Sequence, residues 1–97
     1  WPKPSLAFQR ELWERDMRLA EEGLASSARS LQRLKNDPKK YLREEWDWLS
    51  KSYAFRHKLK PFSGPDDPAF FAEEEETTER LVAWQQEKID RLMKIKP

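Results

Sequence analysis

The chain has 97 residues, of which 37% are hydrophobic and 38% are charged, so it can form one domain at most and has little apolar material for a self-sufficient core. It contains no cysteine and a single histidine, His57, which excludes disulfide bonds, thiolate metal sites and a cysteine nucleophile. The net charge is +1, but the charges are unevenly distributed along the chain. Residues 29–60 carry ten basic and four acidic side chains, whereas residues 61–97 carry five basic and nine acidic ones.

Aromatic residues are numerous in this hydrophilic background: five Trp, five Phe and two Tyr. Large aromatic side chains are the usual anchors of protein interfaces, although small helical domains also use them to bury area of their own. We therefore expect that the tryptophans do not all serve the chain's own core. No apolar run approaches the roughly 20 residues that a membrane-spanning helix needs. The first residue is Trp1 and not Met, from which we expect a processed or truncated N-terminus.

The first predicted helix follows an extended lead-in of residues 1–5, with Ser5 placed as its N-cap. It runs from about Leu6 to Lys35, because apolar residues recur at intervals of three and four, a pattern typical of a coiled coil. Gly23 stands near the middle of this helix, where it indicates a bend or a close contact.

The second predicted helix spans residues 38–59 and ends before Pro61. Asn36-Asp37-Pro38 combines a helix-ending Asn, a capping Asp and a Pro suited to the first helical position, so the turn is short and an antiparallel hairpin is expected. The helix has two aromatic stripes and one basic face. One stripe contains Leu42, Trp46, Leu49 and Tyr53, the other contains Tyr41, Trp48, Phe55 and Leu59, and the basic face contains Lys40, Arg43, Lys51 and Lys58.

The third predicted helix covers residues 68–95, after a loop at residues 61–67 and a second capping pair, Asp67-Pro68. Its acidic start and basic end suit the helix dipole. Residues 1–97 are thus predicted to form a single all-α region of three long amphipathic helices. A helical hairpin and a third helix give it an extended shape, not a compact one.

Catalytic, metal and cofactor sites are not expected. The only glycines are Gly23 and Gly64, so the chain lacks a phosphate-cradling loop, a dinucleotide fingerprint and a nucleophile elbow. The run Glu73 to Glu76 is interpreted as a solvated face, and His57 as part of the basic end of the second helix.

Partner binding is the expected activity of the aromatic residues. Side chains two apart on a helix point about 160° from each other, so Trp46 and Trp48 cannot both enter one neighbour's core. We assign Trp46 to internal packing and Trp48 to a partner. The full set of expected partner-binding residues is Trp13, Tyr41, Trp48, Phe55 and Trp84.

The basic middle of the chain is a candidate for RNA contact, since its cations could hold phosphates while nearby aromatic rings stack on bases. Alternatively, this face pairs with the acidic start of the third helix or with an acidic partner. The candidate RNA-contacting residues are Lys39, Lys40, Arg43, Lys51, Arg56, Lys58 and Lys60.

Two segments resemble known families. Residues 73–88, four glutamates followed by a charged helix containing Trp84, resemble the Trp-punctuated helices of supernumerary mitochondrial ribosomal proteins, as does the lead-in Trp1-Pro2-Lys3-Pro4. Tyr41-Leu42-Arg43 resembles the Leu-Tyr-Arg tripeptide of the small three-helix mitochondrial adaptor family, with a different order and in the second helix instead of the first. The first resemblance implies an accessory, non-catalytic subunit with a cleaved presequence.

We accordingly expect a structural accessory subunit of a large organellar assembly on the matrix side of the mitochondrion, with the mitochondrial ribosome as the first candidate. Its expected partners are protein subunits and, through the basic middle segment, ribosomal RNA. Two alternatives stay open: a peripheral helical subunit of a respiratory or ATP-synthase complex, and a free coiled-coil adaptor.

Overall fold

A computed structural model describes residues 2–97, so Trp1 of the predicted lead-in lies outside the described residues. The chain forms three α-helices: α1 (Leu6–Asn36), α2 (Pro38–Lys51) and α3 (Pro68–Lys94). A short 3₁₀ helix, Arg56–Leu59, stands between α2 and α3. The predicted all-α architecture is confirmed, and no strand occurs within residues 2–97.

Each α-helix begins where the sequence predicts, because a side-chain oxygen at its N-cap accepts a hydrogen bond from a backbone N–H of the first turn. The caps are Ser5, Asp37 and Asp67, with hydrogen bonds of 3.2, 3.3 and 2.9 Å. Asp67 also accepts a hydrogen bond of 3.0 Å from the Ser63 N–H, and these backbone donors hold the pKa of its carboxyl below the ordinary value. The α1–α2 connection is a single residue, Asp37.

The second helix is shorter than predicted, since it ends at Lys51 and not at Leu59. Ser52 adopts an extended backbone, and the chain then turns into the 3₁₀ helix. In a continuous helix, Leu59 would stand about 12 Å beyond Lys51 along the axis. The turn instead buries Leu59 and returns Phe55 to stack on Trp48. Burial of Leu59 and stacking of Phe55 stabilise this arrangement over two further helical turns.

The hydrophobic core lies at one end of the molecule, which we call the head (residues 30–80). Its buried residues come from all four segments, and partly buried aromatic rings surround them. Phe70 and Leu34 are the largest side chains that are completely enclosed, with 1% and 0% of their surface exposed. The buried cluster consists of Leu34, Leu42, Leu49, Leu59 and Phe70, with Tyr41, Trp46, Phe62 and Phe71 packed against it.

The rest of the chain is a two-helix extension, which we call the arm (residues 6–29 and 81–95). Here α1 and α3 run antiparallel and form the most extensive helix pair of the fold. Only Ala20 and Ile89 are buried hydrophobic residues in the arm. The molecule measures 56 × 29 × 16 Å and its radius of gyration is 18.0 Å, against about 12.5 Å for a compact domain of this length. The predicted extended shape is confirmed.

Gly23 marks a close contact between the arm helices, not a bend. Helix α1 continues without interruption through this residue. A Cβ atom at Gly23 would lie 2.7 Å from Nε2 and 2.9 Å from Cδ of Gln85. The missing side chain therefore leaves space for the Gln85 amide of α3.

We predict that Gly23→Ala is nearly neutral in the wild-type chain, because the gain in helix propensity of about 1 kcal/mol is offset by displacement of the Gln85 amide. In a Gln85→Ala background the overlap is absent, so the same substitution should stabilise the fold by about 1 kcal/mol. Urea denaturation followed by circular dichroism measures both values. Equal effects in the two backgrounds would contradict this account of the glycine.

Candidate partner-binding surface

The head has a groove of about 720 Å³ between α2, the 3₁₀ helix and α3. We call it the aromatic groove. Its walls and floor are apolar, whereas its rim carries three carboxylates and one ammonium group. The lining residues are Glu45, Trp48, Leu49, Phe55, Lys58, Leu59, Pro61, Phe62, Phe70, Glu73, Glu74 and Thr77.

Trp48 and Phe55 form the exposed wall of the aromatic groove. Their ring centroids are 5.8 Å apart with an interplanar angle of 26°, and the rings remain 57% and 39% exposed. The turn after α2 positions Phe55, whose N–H donates to the Ser52 carbonyl at 3.2 Å. Lys58 Nζ lies 5.0 Å from the centroid of Phe55. The structure thus brings two of the predicted partner-binding residues together as one aromatic surface.

Trp46 points the other way, into the head, where the sequence analysis placed it. Its ring meets Phe70 edge-on, with centroids 5.0 Å apart and planes at 89°. Phe62 packs on the same Phe70 ring at 5.4 Å. The two tryptophans of α2 therefore divide their roles: Trp46 supports the floor of the groove and Trp48 forms its exposed wall.

Glu74 on α3 is half-buried at the edge of the aromatic groove. Burial is the main cause that raises the pKa of its carboxyl to about 7; the negative charges of Glu45 and Glu73 contribute to this value, and Lys58 opposes them with a smaller effect. Burial also raises the pKa of Glu45, against the attraction of Arg33. Within residues 2–97, none of the three groove carboxylates forms an ion pair.

Tyr41 is not part of the aromatic groove. Its ring packs against the core cluster, and the guanidinium carbon of Arg33 lies 5.8 Å from the ring centroid. Burial raises the pKa of the phenol, and the nearby charge of Glu45 adds to this effect. Tyr41 therefore serves the head's own packing, and the predicted stripe of Tyr41, Trp48 and Phe55 does not form a continuous exposed surface.

Trp13 and Trp84, the other expected partner-binding residues, lie in the arm. The indole N–H of Trp13 donates a hydrogen bond of 2.6 Å to the Leu92 carbonyl. This carbonyl belongs to the last turn of α3, where it lacks an i+4 partner within the helix. The Trp13 N–H is thus committed within the chain, and only the rest of its ring is accessible. Trp84 is half-exposed, with Lys88 Nζ 5.6 Å from its ring centroid.

The seven candidate RNA-contacting residues are all exposed but have different surroundings. Lys51 pairs with Asp47 at 2.9 Å. Arg56 lies over the Tyr53 ring at 4.9 Å, and Lys58 lies over Phe55. Lys39 and Arg43 line a depression that also contains Asp66 and Asp67. Lys40 lines a second depression, together with Arg33. Lys60 directly follows the 3₁₀ helix. These cations therefore occupy several local environments and are interspersed with carboxylates.

The acidic residues of the groove were missed by the sequence interpretation, which treated Glu73 to Glu76 as one solvated face. Glu73 and Glu76 are exposed, but Glu74 is half-buried. Helical spacing could have indicated the inward position of Glu74, because this residue stands four residues after Phe70 and four before Thr78, and both of these neighbours are buried. Thr78 is accommodated there because its hydroxyl donates to the Glu74 carbonyl at 2.7 Å.

Residues 2–97 contain neither a cluster of metal-ligating side chains nor a helix suited to span a membrane. No group of three or more His, Asp or Glu side chains in this part of the chain is placed to hold a metal ion. None of its helices combines the length and the apolar composition needed to cross a membrane.

Glu74→Gln should stabilise the fold in a pH-dependent way. The pKa of Glu74 is higher in the folded chain, about 7, than its ordinary value of 4.5, so the wild type loses stability as pH rises between these values. The amide stays neutral, and the difference in the free energy of unfolding should grow from pH 4.5 to about pH 7 and then stay constant. We expect about 1 kcal/mol above pH 7, after allowance for solvent screening at this half-exposed position.

Denaturant unfolding at several pH values measures this difference. Glu87→Gln, at an exposed position of α3 outside the groove, is the matched control. Identical differences from wild type for the two variants at every pH would show that Glu74 has no special environment.

No protein-family model, curated protein or solved structure matches this chain.

Proposed function

We propose that this chain is a non-catalytic structural subunit whose exposed apolar side chains become buried in a larger assembly. The observation that carries the proposal is the ratio of exposed to buried apolar residues. Within residues 2–97, ten large hydrophobic side chains are exposed, whereas only seven hydrophobic residues are buried. The exposed residues are Leu6, Phe8, Leu19, Trp48, Tyr53, Phe55, Leu81, Trp84, Met93 and Ile95.

The distribution of these residues supports assembly over independent function. Seven of the ten lie in the arm, where each helix has a single helical neighbour. Full burial of one such side chain contributes about 1.5–3 kcal/mol, so covering even part of the arm would stabilise the chain substantially. The remaining three, Trp48, Tyr53 and Phe55, lie on the head at or near the aromatic groove.

The mitochondrial ribosome is the first candidate assembly, on the matrix side of the organelle. The charged, Trp-containing character of α3 supports it, as do exposed cations such as Lys40 and Arg43 on the outer side of α2. A peripheral position in a respiratory or ATP-synthase complex is the alternative, and a free coiled-coil adaptor is the third possibility. Of these three proposals, only the ribosomal one includes contact with ribosomal RNA.

Sedimentation of the tagged chain from cells of the source organism separates these proposals. A ribosomal subunit should migrate with the ribosome and should be released by nuclease. A respiratory subunit should migrate with detergent-solubilised membrane complexes whether or not nuclease is added. Migration of the chain with neither would reject the structural-subunit proposal and favour the adaptor.

Trp48→Ala should reduce incorporation into the assembly at least tenfold in competition with wild type, because a buried aromatic anchor contributes about 2 kcal/mol or more to binding. Its helicity should be nearly unchanged, since the ring is more than half exposed and the contact that it loses, the stack with Phe55, lies outside the buried cluster. Trp46→Ala is the matched comparison on the same helix: it removes the contact with Phe70 and should lower stability by roughly 3 kcal/mol.

Incorporation is measured from the ratio of differently tagged copies in the purified assembly, and helicity from circular dichroism. Equal incorporation of wild type and Trp48→Ala would reject the aromatic groove as an attachment site. For a ribosomal partner, removal of the charge at Lys40 or Arg43 should lower the slope of the salt dependence by about one unit if that residue contacts a phosphate.

A further inference from the structure

The aromatic groove combines an exposed apolar wall with a negatively charged rim. Its wall exposes the stacked rings of Trp48 and Phe55, which favours an apolar ligand. Its rim holds Glu45, Glu73 and Glu74 against the single cation Lys58, which gives it an excess of negative charge. A ligand that fits both features is apolar and carries a positive charge.

The charge has an energetic consequence for any partner that covers Trp48. Such a partner would remove more water from Glu45 and Glu74, which are already partly buried and have no ion pair within residues 2–97. Further desolvation of an unpaired carboxylate is costly unless a cation or hydrogen-bond donor accompanies it. A neutral apolar segment is therefore a poor ligand, and a nucleic acid is a worse one because its phosphates would face three carboxylates.

The raised pKa of Glu74 agrees with this argument, because it reports the same cost of holding negative charge at this position without a partner. The position of Lys58 over Phe55 adds an independent observation. It shows that the chain's own ammonium group already lies beside an aromatic ring of this groove, at 5.0 Å from nitrogen to ring centroid.

We propose that the aromatic groove binds a segment of a partner protein in which an arginine is flanked by aliphatic side chains. The guanidinium group lies between Glu45 and Glu74 and donates hydrogen bonds to both, while the aliphatic side chains pack on Trp48 and Phe55. Arginine suits this site better than lysine, because its planar group can donate hydrogen bonds to two carboxylates at once. The groove volume of about 720 Å³ lies within the usual range for such pockets. This inference rests on the proposed role as a subunit.

A peptide pair tests the recognition directly on the full chain. One probe is a short amphipathic peptide with leucines at helical spacing and one central arginine, and the other replaces the arginine by citrulline, which keeps its shape without the charge. Affinities come from calorimetry, and the Trp48 indole N–H signal in a nitrogen-15 correlation spectrum locates the binding. The arginine peptide should bind at least tenfold more tightly at pH 8 and should shift this signal.

The double variant Glu45→Gln with Glu74→Gln should reduce this tenfold preference to about one. Glu87→Gln and Leu19→Ala, a carboxylate and an exposed aliphatic residue outside the groove, should leave the preference unchanged. Equal binding of the two peptides to wild type, or an undiminished preference in the double variant, would overturn the proposal. A shift of the Trp48 signal by a short RNA, with loss of the bound peptide, would also overturn it.

Incorporation of the same double variant separates this inference from the proposed function. Reduced incorporation supports the arginine-bearing partner. Normal incorporation of the double variant beside reduced incorporation of Trp48→Ala rejects the charge recognition and leaves the structural role intact. Normal incorporation of both variants rejects the groove as an attachment site and the proposed partner together.

Discussion

The packing around Phe70 is the contact on which the rest of the head depends. Its ring is 1% exposed, with the edge-on contact of Trp46 on one side and Phe62 on another. Leu34 from the end of α1 and Leu59 from the 3₁₀ helix belong to the same buried cluster. All four segments of the chain therefore contribute to the one cluster that contains Phe70. Because Phe70 also lines the aromatic groove, the stability of the head and the shape of its candidate site share one residue.

The head and the arm differ in how much of their own apolar surface they bury. The head encloses five hydrophobic residues from four segments, which is the arrangement of a small conventional core. The arm has two helices and no third layer, so each helix can bury only the stripe that faces the other. Exposed residues such as Phe8 and Leu19 on α1 follow from this geometry. The head therefore has an enclosed core, whereas the arm leaves seven large apolar side chains exposed.

Local features of the fold could be predicted from the sequence. The caps at Ser5, Asp37 and Asp67 involve residues two or three positions apart, so a few letters contain the whole interaction. The division between Trp46 and Trp48 could also be predicted, because it follows from helical geometry and the apolar spacing around each residue. Whether Trp48 or any other expected partner-binding residue contacts a partner stays a prediction.

Features decided by distant residues could not be predicted. The end of α2 at Lys51 depends on the space that Phe70 and its neighbours leave for Leu59. Residues 52–59 contain no Pro or Gly, so the local sequence does not indicate that the helix ends there. The environment of Glu74 depends likewise on Glu45, which is 29 positions earlier in the chain. Helical spacing from Phe70 could have placed Glu74 on the inward side of α3, but only the packing of α2 against α3 places a second carboxylate near it. The pairing of α1 with α3, which brings Gln85 to Gly23, is of the same kind.

The hydrogen bond between Trp13 and Leu92 gives the arm a mechanical property. Leu6 precedes Leu34 by 28 residues, which corresponds to about 42 Å of helix, so a small change in the angle between α1 and α3 at the head would separate their far ends by several ångströms. The hydrogen bond of Trp13 joins the two helices near that far end and limits this separation. The arm is therefore a rod whose length is set by the residue count of α1, a property that suits the proposed role as a subunit between components of an assembly.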